Sequence, residues 1–359
     1  MTSNVRHIKR LVIPLALVGL VLSSCKEEPS TVFDQGRLSI HSEIQRAYLS
    51  SSVDSVNLYT LGVEELSRPL KPTFTWEGEK TSYEVYLSES KDYLDPLIYH
   101  VESNEVSFTN LKIDTQYFYK VMSDDRCVKE DFFTTSDEII RNMYVSGVTN
   151  VRDLGGYPVG SGRLNQGLIY RCGRLNHNVK ETVENKITDK GIHTMVNEMK
   201  IKSEIDLRLV DNNEVGGLKE GVGVLGETVK YYQCPMDYFS TMDSEFNHQS
   251  LRKVFSILGD KNNYPTVFHC SIGTDRTGYV AWLINGCLGV KEEHLWRDYL
   301  FSNFGNIGGS RSKNNIQDGY VQTIHQNQGD SLQEKVTNYL LDIGIKQSQI
   351  DVIKEMMLP

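Results

Sequence analysis

One short stretch of the chain combines a nucleophile with a strong anion-binding side chain. Residues 269–278 read HCSIGTDRTG, after an apolar strand pattern and before an apolar helix pattern. A turn between strand and helix directs backbone N–H groups at one centre beside the positive end of the helix dipole. That field stabilises a thiolate at Cys270, and the planar fork of Arg276 holds two phosphate oxygens at once. The stretch predicts a phosphate-ester site with Cys270 as nucleophile and Arg276 as phosphate clamp.

The residues of this loop are expected to bind the substrate phosphate. The predicted contacts are Ser271, Ile272, Gly273, Thr274, Asp275 and Arg276. Gly273 and Gly278 permit tight curvature and close helix packing because they lack a side chain. Thr277 is expected to donate its hydroxyl to the Cys270 sulfur, and His269 to fix the geometry of the cysteine. Together they predict an anion cradle that needs no metal or cofactor.

A carboxylic acid is needed near Cys270, because attack by sulfur on phosphorus leaves an alkoxide or phenolate. Asp237 is the first candidate, since it follows a predicted strand on a loop. Asp275 is the second, either as the acid or as the base for the water that attacks next. The remaining candidates are Asp206 and Asp243.

Several motifs resemble those of a known family. The Cys-x5-Arg spacing followed by Thr-Gly is similar to the signature of the protein tyrosine phosphatase superfamily. Residues 149–157, TNVRDLGGY, are similar to the opening motif of the bacterial tyrosine phosphatase family, and Arg171, DLR at 206–208 and DYLFSN at 298–303 follow in the family's order. The resemblance covers roughly residues 147–357. It implies a cysteine-dependent phosphatase with a mostly parallel sheet flanked by helices.

Residues outside the loop are also expected to contribute. Arg152 is expected to be scaffold, and Arg171 and Arg208 to add positive field near the pocket. For Asp206 with Arg208 a structural salt bridge is the favoured interpretation. Many family members have lysine where this chain has Thr274, and that lysine is associated with activity on phosphoinositides. Its absence lowers the positive field, which disfavours highly charged inositol substrates.

Strand and helix patterns alternate after residue 147. Buried strands are predicted at 203–207, 228–232 and 265–269, and helices at 248–258, 278–288, 331–341 and 347–357. Alternation of this kind favours an α/β layer architecture. The sequence therefore predicts a phosphatase domain over residues 147–359, joined to what precedes it by residues 136–146.

Residues 49–136 have a different pattern, short strands with alternating apolar residues. Strands are predicted at 73–76, 83–87, 106–108 and 117–121. The stretch resembles a fibronectin type III or immunoglobulin-like module, on the basis of Trp76, the strand at 83–87 and LKIDTQY at 111–117, which is similar to a tyrosine corner. The fold expected for the whole chain is multidomain: a small all-β sandwich followed by the α/β domain.

The N-terminus carries an export signal pattern. Arg6, Lys9 and Arg10 precede a short apolar run, which ends in Leu-Ser-Ser before Cys25. This resembles a bacterial lipobox, so residues 1–24 are predicted to be a lipoprotein signal peptide, Cys25 the lipidated residue and residues 25–48 a polar tether. The implied location is the cell envelope, anchored by lipid to the outer membrane or cell surface and facing the periplasm or exterior.

Composition and cysteine usage limit the function classes. The formal charge of −9 argues against a nucleic-acid partner. Of six cysteines, five remain if Cys25 carries lipid; an odd, scattered set predicts neither a disulfide framework nor a metal site. The expected partners are a membrane, through the lipid, and a phosphorylated protein or small phosphate ester.

The sequence is compatible with three functions of the site. The first is a phosphotyrosine or dual-specificity phosphatase, and the second a phosphatase for inositol phosphates or other small esters. The third is a binding module without turnover, which is disfavoured because Cys270 and Arg276 are both present. Sulfur transfer on a similar cysteine loop is disfavoured by the Arg-Thr-Gly that ends this one.

Overall fold

The computed structural model describes residues 31–79, 82–177, 186–210, 214–238 and 243–359. The predicted signal peptide, Cys25 and the first residues of the predicted tether lie outside these ranges. Within them, no helix is long and apolar enough to cross a membrane, and the five described cysteines are thiols.

The described chain begins with a small ordered unit. It comprises an antiparallel hairpin of β1 (Val32–Asp34) and β2 (Arg37–Ser39), helix α1 (Glu43–Leu49) and a 3-10 helix (Val53–Leu58). A capping box formed by Ser42 and Gln45 begins α1. The prediction of a polar tether is therefore wrong for residues 32–48, because Leu38, Ile40 and Tyr48 are buried there.

A β-rich region follows. Its strands are β3 (Thr73–Thr75), β4 (Tyr83–Ser88), β5 (Leu97–Val101), β6 (Glu105–Ser107), β7 (Gln116–Ser123) and β8 (Arg126–Thr134). β3 pairs with β6, and a four-stranded antiparallel sheet has the order β5-β4-β7-β8. Trp76, Phe108 and Tyr119 belong to one core beneath these strands. The Lys112 N–H donates to the Tyr117 hydroxyl at 2.9 Å, the back-bond that a tyrosine corner makes.

The α/β part starts with short strands and one helix. They are β9 (Arg152–Asp153), β10 (Pro158–Val159), β11 (Gly162–Arg163), β12 (Ile169–Cys172), α2 (Asp189–His193) with a π-helical turn (Thr194–Glu198), β13 (Ser203–Asp206) and β14 (Lys230–Gln233). There follow α3 (Glu245–Leu258), a 3-10 turn (Lys261–Asn263), β15 (Thr266–His269), α4 (Asp275–Cys287), α5 (Glu292–Phe301) and a 3-10 turn (Ser302–Phe304). The chain ends with α6 (Asn314–Ile316), a kinked turn (Gln317–Val321), α7 (Gln322–Gln326), α8 (Leu332–Asp342) and α9 (Gln347–Met357).

One mixed sheet organises this part. Its order is β14-β13-β15-β12-β9, with the first four strands parallel and β9 antiparallel. Alternate strand residues face two cores. Ile169, Ile205 and Phe268 face the core that helices α3, α4, α5, α8 and α9 cover, and Tyr170 and Val267 face a smaller core on the other side. The predicted α/β domain with a mostly parallel sheet and flanking helices is confirmed.

The N-terminal helix packs onto this α/β core. Tyr48 is fully buried, and its ring lies 5.6 Å from that of Phe304. The Arg297 guanidinium of α5 donates to the Tyr48 carbonyl at 3.0 Å and to the Ser51 carbonyl at 2.9 Å. Residues before the β-rich region are thus part of the same packed unit as the sheet behind them.

This docking predicts a stability loss for Tyr48→Ala. Truncating a buried aromatic side chain costs about 3–5 kcal/mol through lost burial and a residual cavity. Leu58→Ala is the matched control, because that side chain is 83% exposed and surface truncation costs about 0.5 kcal/mol or less. Urea unfolding of the full chain measures both, and equal midpoints for the two variants would contradict the docking.

Candidate active site

The sheet brings the predicted site residues to one edge. β15 ends at His269, which is in register with Asp206 at the end of β13 and Cys172 at the end of β12. Since parallel strands end at the same edge, the segments that follow them converge there. Cys270 begins the loop after the central strand of the sheet, and α4 starts at Asp275.

A pocket of about 240 Å³ opens at this edge. Five of its residues come from the predicted stretch, namely Cys270, Ser271, Ile272, Asp275 and Arg276. The other five are Glu214, Tyr238, Ile307, Gly308 and Arg311. The fold therefore places the predicted nucleophile and the predicted clamp in the wall of one cavity.

Buried donors hold the loop's carbonyl groups from outside the pocket. Arg174 donates to the Ser271 carbonyl at 3.1 Å, and Asn150 to those of Ile272 and Gly273 at 3.2 and 3.0 Å. Arg171 also donates to the Gly273 carbonyl, at 2.7 Å. Because a trans peptide sets its C=O and N–H in opposite directions, the N–H groups of these peptides face the other way.

The N–H groups of residues 271–274 donate to no protein acceptor within the described part of the chain. Gly273 has φ of +69°, and a Cβ there would lie 2.4 Å from the Cys172 carbonyl oxygen. Only glycine allows that approach at a positive φ. The loop thus offers a row of unused donors at the start of α4, an arrangement that binds anions.

Arg276 is almost fully buried and already ion-paired. Its Nη1 lies 2.7 Å from Glu214 Oε2, and its Nη2 donates to Ser271 Oγ at 3.3 Å. Burial works to lower the pKa of the guanidinium, but the charges of Cys270 and Glu214 outweigh it and raise that pKa above the ordinary value. The guanidinium carbon Cζ of Arg276 lies 5.1 Å from the centre of the Tyr238 ring. Arg276 is therefore charged, and the Glu214 carboxylate holds its guanidinium at the cavity.

Asp275 lines the pocket and has two side-chain partners. It accepts from the Tyr299 hydroxyl at 2.8 Å, and Arg311 Nε lies 3.2 Å from its Oδ2. Tyr299 also packs where a Cβ on Gly278 would sit, 2.6 Å away, so the predicted close packing at that glycine is present. These two partners hold the carboxylate in place at the N-terminus of α4.

Asp237 lies next to the pocket rather than among the residues that line it. Its N–H donates to Asn247 Oδ1 at 2.8 Å, and its Oδ1 accepts from the Tyr238 N–H at 2.7 Å. The neighbouring Tyr238 does line the cavity. Of the two leading candidates, the described structure places Asp275 at the cavity.

Asp206 belongs to a buried network behind the site. It accepts from Arg208 Nη2 at 2.6 Å and from the Tyr231 hydroxyl at 2.8 Å. Burial would raise the pKa of this carboxyl, but the charges of His269 and Arg208 and the hydrogen bonds from Arg208 lower it to about 2. The salt bridge expected for Asp206 and Arg208 is present. Arg208 therefore neutralises that carboxylate, and it is not among the described residues that line the pocket.

Asp243, the last acid candidate, has other partners. It pairs with His248 Nε2 at 2.7 Å and accepts from the Tyr339 hydroxyl at 3.2 Å. It is not among the described residues that line the pocket.

A second buried network supports the loop from the other side. Asp298 accepts from Arg171 and, at 3.0 Å, from Arg152 Nε, and Arg152 also donates to the Asn150 side chain. Burial would raise the pKa of Asp298, but Arg171 and Arg152 lower it. The motif at 149–157 therefore acts as scaffold for the loop, and Arg171 touches loop carbonyls instead of the cavity.

Other predicted positions have contacts that differ from expectation. The Thr277 hydroxyl is buried and makes no hydrogen bond within the described residues, so the expected bond to the Cys270 sulfur is not formed. The Thr274 side chain is fully buried and accepts from Asn150 at 3.4 Å, outside the cavity lining. His269 Nε2 pairs with Glu204 Oε1 at 3.0 Å, and its Nδ1 lies 3.4 Å from the Cys270 carbonyl oxygen.

Glu214, Tyr238 and Arg311 are pocket residues that the sequence reasoning missed. Tyr238 directly follows Asp237, and Glu214 follows the DLR motif, so position after a strand at this edge was the available signal. Arg311 lies in a glycine-containing stretch well beyond the loop. Only the fold brings it to the site.

Cys270 follows the central strand of the mixed sheet, and Arg276 lines the same cavity. This combination defines the class of cysteine-based phosphatases. The chain belongs to the tyrosine phosphatase family, whose sequence pattern matches residues 143–359. The protein is accordingly a phosphatase. A search of curated proteins found no match.

Two solved microbial structures match about half of this chain. The core catalytic domain of the PP-IP phosphatase SIW14 from S. cerevisiae, in complex with citrate, is 17% identical, with a TM-score of 0.30; the match covers 49% of this chain and 91% of that one. TpbA from P. aeruginosa, in complex with pTyr, is 13% identical, with a TM-score of 0.30 and coverage of 50% and 88%.

Gly273→Ala should disable the site. The added Cβ meets the Cys172 carbonyl, so the loop must shift and its amide donors move; loss of one such preorganised donor costs about 10²–10³ in kcat. Gly221→Ala is the matched control, because Gly221 has φ of +86° and open space around its Cβ position. Hydrolysis of a generic aryl phosphate is measured for both, and equal rates would contradict this account of the loop.

Proposed function

We propose that the protein hydrolyses phosphate monoesters, phosphotyrosine foremost or with dual specificity, through a cysteinyl-phosphate intermediate. The observation that carries the proposal is that Cys270 and Arg276 line one cavity whose loop has unused N–H donors. That combination stabilises both a thiolate and a bound phosphate dianion.

The reaction proceeds in two steps. The phosphate binds the loop amides and Arg276. The Cys270 thiolate then forms a bond to phosphorus, the P–O ester bond breaks, and a carboxylic acid gives its proton to the departing oxygen. Water then attacks the cysteinyl-phosphate, gives its proton to a carboxylate, and releases phosphate and the thiolate. Both steps need stabilisation of negative charge and a proton transfer. The loop amides and Arg276 provide the first, and a carboxyl group provides the second.

We assign the proton transfers to Asp275 and place Asp237 second, the reverse of the ranking from sequence. Asp275 lines the cavity that holds Cys270, and Tyr299 and Arg311 hold its carboxylate. A proton-transfer group must be within hydrogen-bond reach of the reacting atoms. The position of Asp237 beside the cavity keeps it as the competing assignment.

The charges of the cavity favour a substrate with a single phosphate. Two carboxylates and two guanidiniums line it, namely Glu214, Asp275, Arg276 and Arg311. Their formal charges sum to zero, and the thiolate makes the total negative. Thr274, where many family members have lysine, adds no cation. The Tyr238 ring and Ile307 give the mouth apolar surface for an aromatic leaving group. These features support phosphotyrosine over inositol phosphates.

We further propose that the protein is a lipoprotein of the cell envelope. The support is the lipobox-like sequence that ends at Cys25. For the β-rich region we propose a fibronectin type III-like module, supported by its two sheets over one aromatic core and by the Tyr117 back-bond. Its contribution would be spacing or contact with a protein or carbohydrate.

Cys270→Ser should abolish hydrolysis while leaving phosphate binding largely intact, because the amides and Arg276 remain. Cys127→Ser is the control, since Cys127 is an exposed thiol of the β-rich region. Initial rates on a generic aryl phosphate, a phosphotyrosine peptide and an inositol phosphate give the readout. Turnover retained by the Cys270 variant would exclude the nucleophile assignment.

Asp275→Asn and Asp237→Asn separate the two acid assignments. Loss of a general acid lowers kcat by about 10²–10⁴, and we expect that loss in the Asp275 variant and a smaller one in the Asp237 variant. Steady-state kinetics on a phosphotyrosine peptide measure both. A larger loss in the Asp237 variant would restore the ranking from sequence.

A further inference from the structure

A segment from outside the family-matched part of the chain lies against the pocket. We call residues 60–67 the brace and residues 302–311 the wall loop. The wall loop supplies Ile307, Gly308 and Arg311 to the cavity. The brace lies between the first 3-10 helix and β3, far before residue 143, where the family match begins.

Four hydrogen bonds of 3.0 Å or less join the brace to the main chain of the wall loop. They link Thr60 Oγ1 to the Asn303 carbonyl at 2.8 Å, the Leu66 N–H to the Phe304 carbonyl at 2.6 Å, and the Gly62 carbonyl to the N–H groups of Ile307 and Gly309, both at 3.0 Å. Main-chain bonds of this kind fix the path of a loop. The wall loop therefore takes its path from the brace.

Gly62 makes the closest approach between the two segments. It has φ of +70°, and a Cβ there would lie 2.9 Å from both the Gly309 carbonyl oxygen and Ile307 Cγ1. Both the backbone angle and the lack of space require glycine. A single methyl group at this position would push against the two residues that flank Gly308 in the wall of the cavity.

The brace also contacts the scaffold behind the cysteine loop. The Glu65 carboxylate accepts from the Thr149 hydroxyl, and Ser67 Oγ accepts from the Asn150 N–H at 3.3 Å. Asn150 is the residue whose side chain holds the carbonyls of Ile272 and Gly273. One segment thus ties together the cysteine loop's support and the opposite wall of the cavity.

The wall loop transmits this position to Asp275 through Arg311. Arg311 Nη1 donates to the Gly309 carbonyl at 3.1 Å, and its Nε pairs with Asp275. Gly309 in turn donates its N–H to Gly62. A continuous chain of contacts therefore runs from the brace to the carboxylate at the cavity.

We propose that the brace is part of the catalytic apparatus, because it positions the wall loop so that Arg311 holds the Asp275 carboxylate at the substrate. Gly62 and Arg311 are then positioning residues for phosphate-ester hydrolysis. The inference rests on the proposed function and deepens it: the catalytic unit of this chain extends beyond residues 143–359.

The test compares two glycine substitutions in the full chain. Gly62→Ala and Gly36→Ala both place alanine at a positive φ, +70° and +80°, but around Gly36 there is nothing within 4 Å. Backbone strain is thus matched, and only the Gly62 variant displaces the wall loop. We expect kcat to fall about ten- to a hundredfold in the Gly62 variant with KM within twofold, as for a misplaced catalytic group, and wild-type kcat in the Gly36 variant. Equal kcat values would overturn the inference.

Arg311 variants test the route of the effect. Arg311→Gln should lower kcat as Gly62→Ala does, and Arg311→Lys should recover part of the loss because it keeps the charge. If the brace acts through Arg311, the double variant of Gly62→Ala and Arg311→Gln loses no more than Arg311→Gln alone. Losses that multiply would overturn that route.

A second brace variant guards against misfolding. Thr60→Val removes the hydroxyl bond to Asn303 with little change in volume, and Thr73→Val, in β3, is its control. A fall in kcat confined to the Thr60 variant supports the inference, and unchanged kcat in both overturns it. Absence of Cys270-dependent turnover in the wild type would overturn the proposed function itself, so the two failures are distinguishable.

Discussion

The carbonyl groups of the loop after β15 face buried guanidinium and amide donors, and this contact decides which way the loop's N–H groups point. Arg174, Arg171 and Asn150 take up the carbonyls of residues 271–273. The amides of the same peptides are left to the cavity, where an anion is the natural acceptor. The nucleophile, the clamp and the cradle all depend on this outward set of hydrogen bonds.

Burying those donors requires compensating charge. Arg152 and Arg171 are both fully buried, and Asp298 lies between them. Burial, and after it the nearby charge of Arg171, lower the pKa of Arg152 to about 10. A buried cation without a carboxylate partner is destabilising, so Asp298 is as necessary to the loop as the arginines. Glu214 serves Arg276 similarly inside the cavity.

The N-terminal part of the chain is built into the same unit. Helix α1 contributes Tyr48 to the core beneath the sheet, and the residues after it reach the edge of the cavity. An interpretation of the chain as tether, spacer and catalytic domain in series misses these contacts, because the polar residues Gln45 and Glu65 accept hydrogen bonds from Asn142 and Asn306, far along the chain. The predicted boundary residues between domains stay predictions.

The sequence by itself determined the features that depend on neighbours in the chain. Apolar periodicity located β13, β15, α3, α4, α8 and α9, and the spacing of Cys270 and Arg276 located the anion loop, because both signals span fewer than twenty residues. The tertiary structure alone decided which acid reaches the cavity, what pairs with Arg276, and that Arg311 and residues 60–67 belong to the site. Those contacts join residues as far apart as Gly62 and Gly309, and no local pattern encodes such a meeting, since it follows from how the sheet and its helices pack.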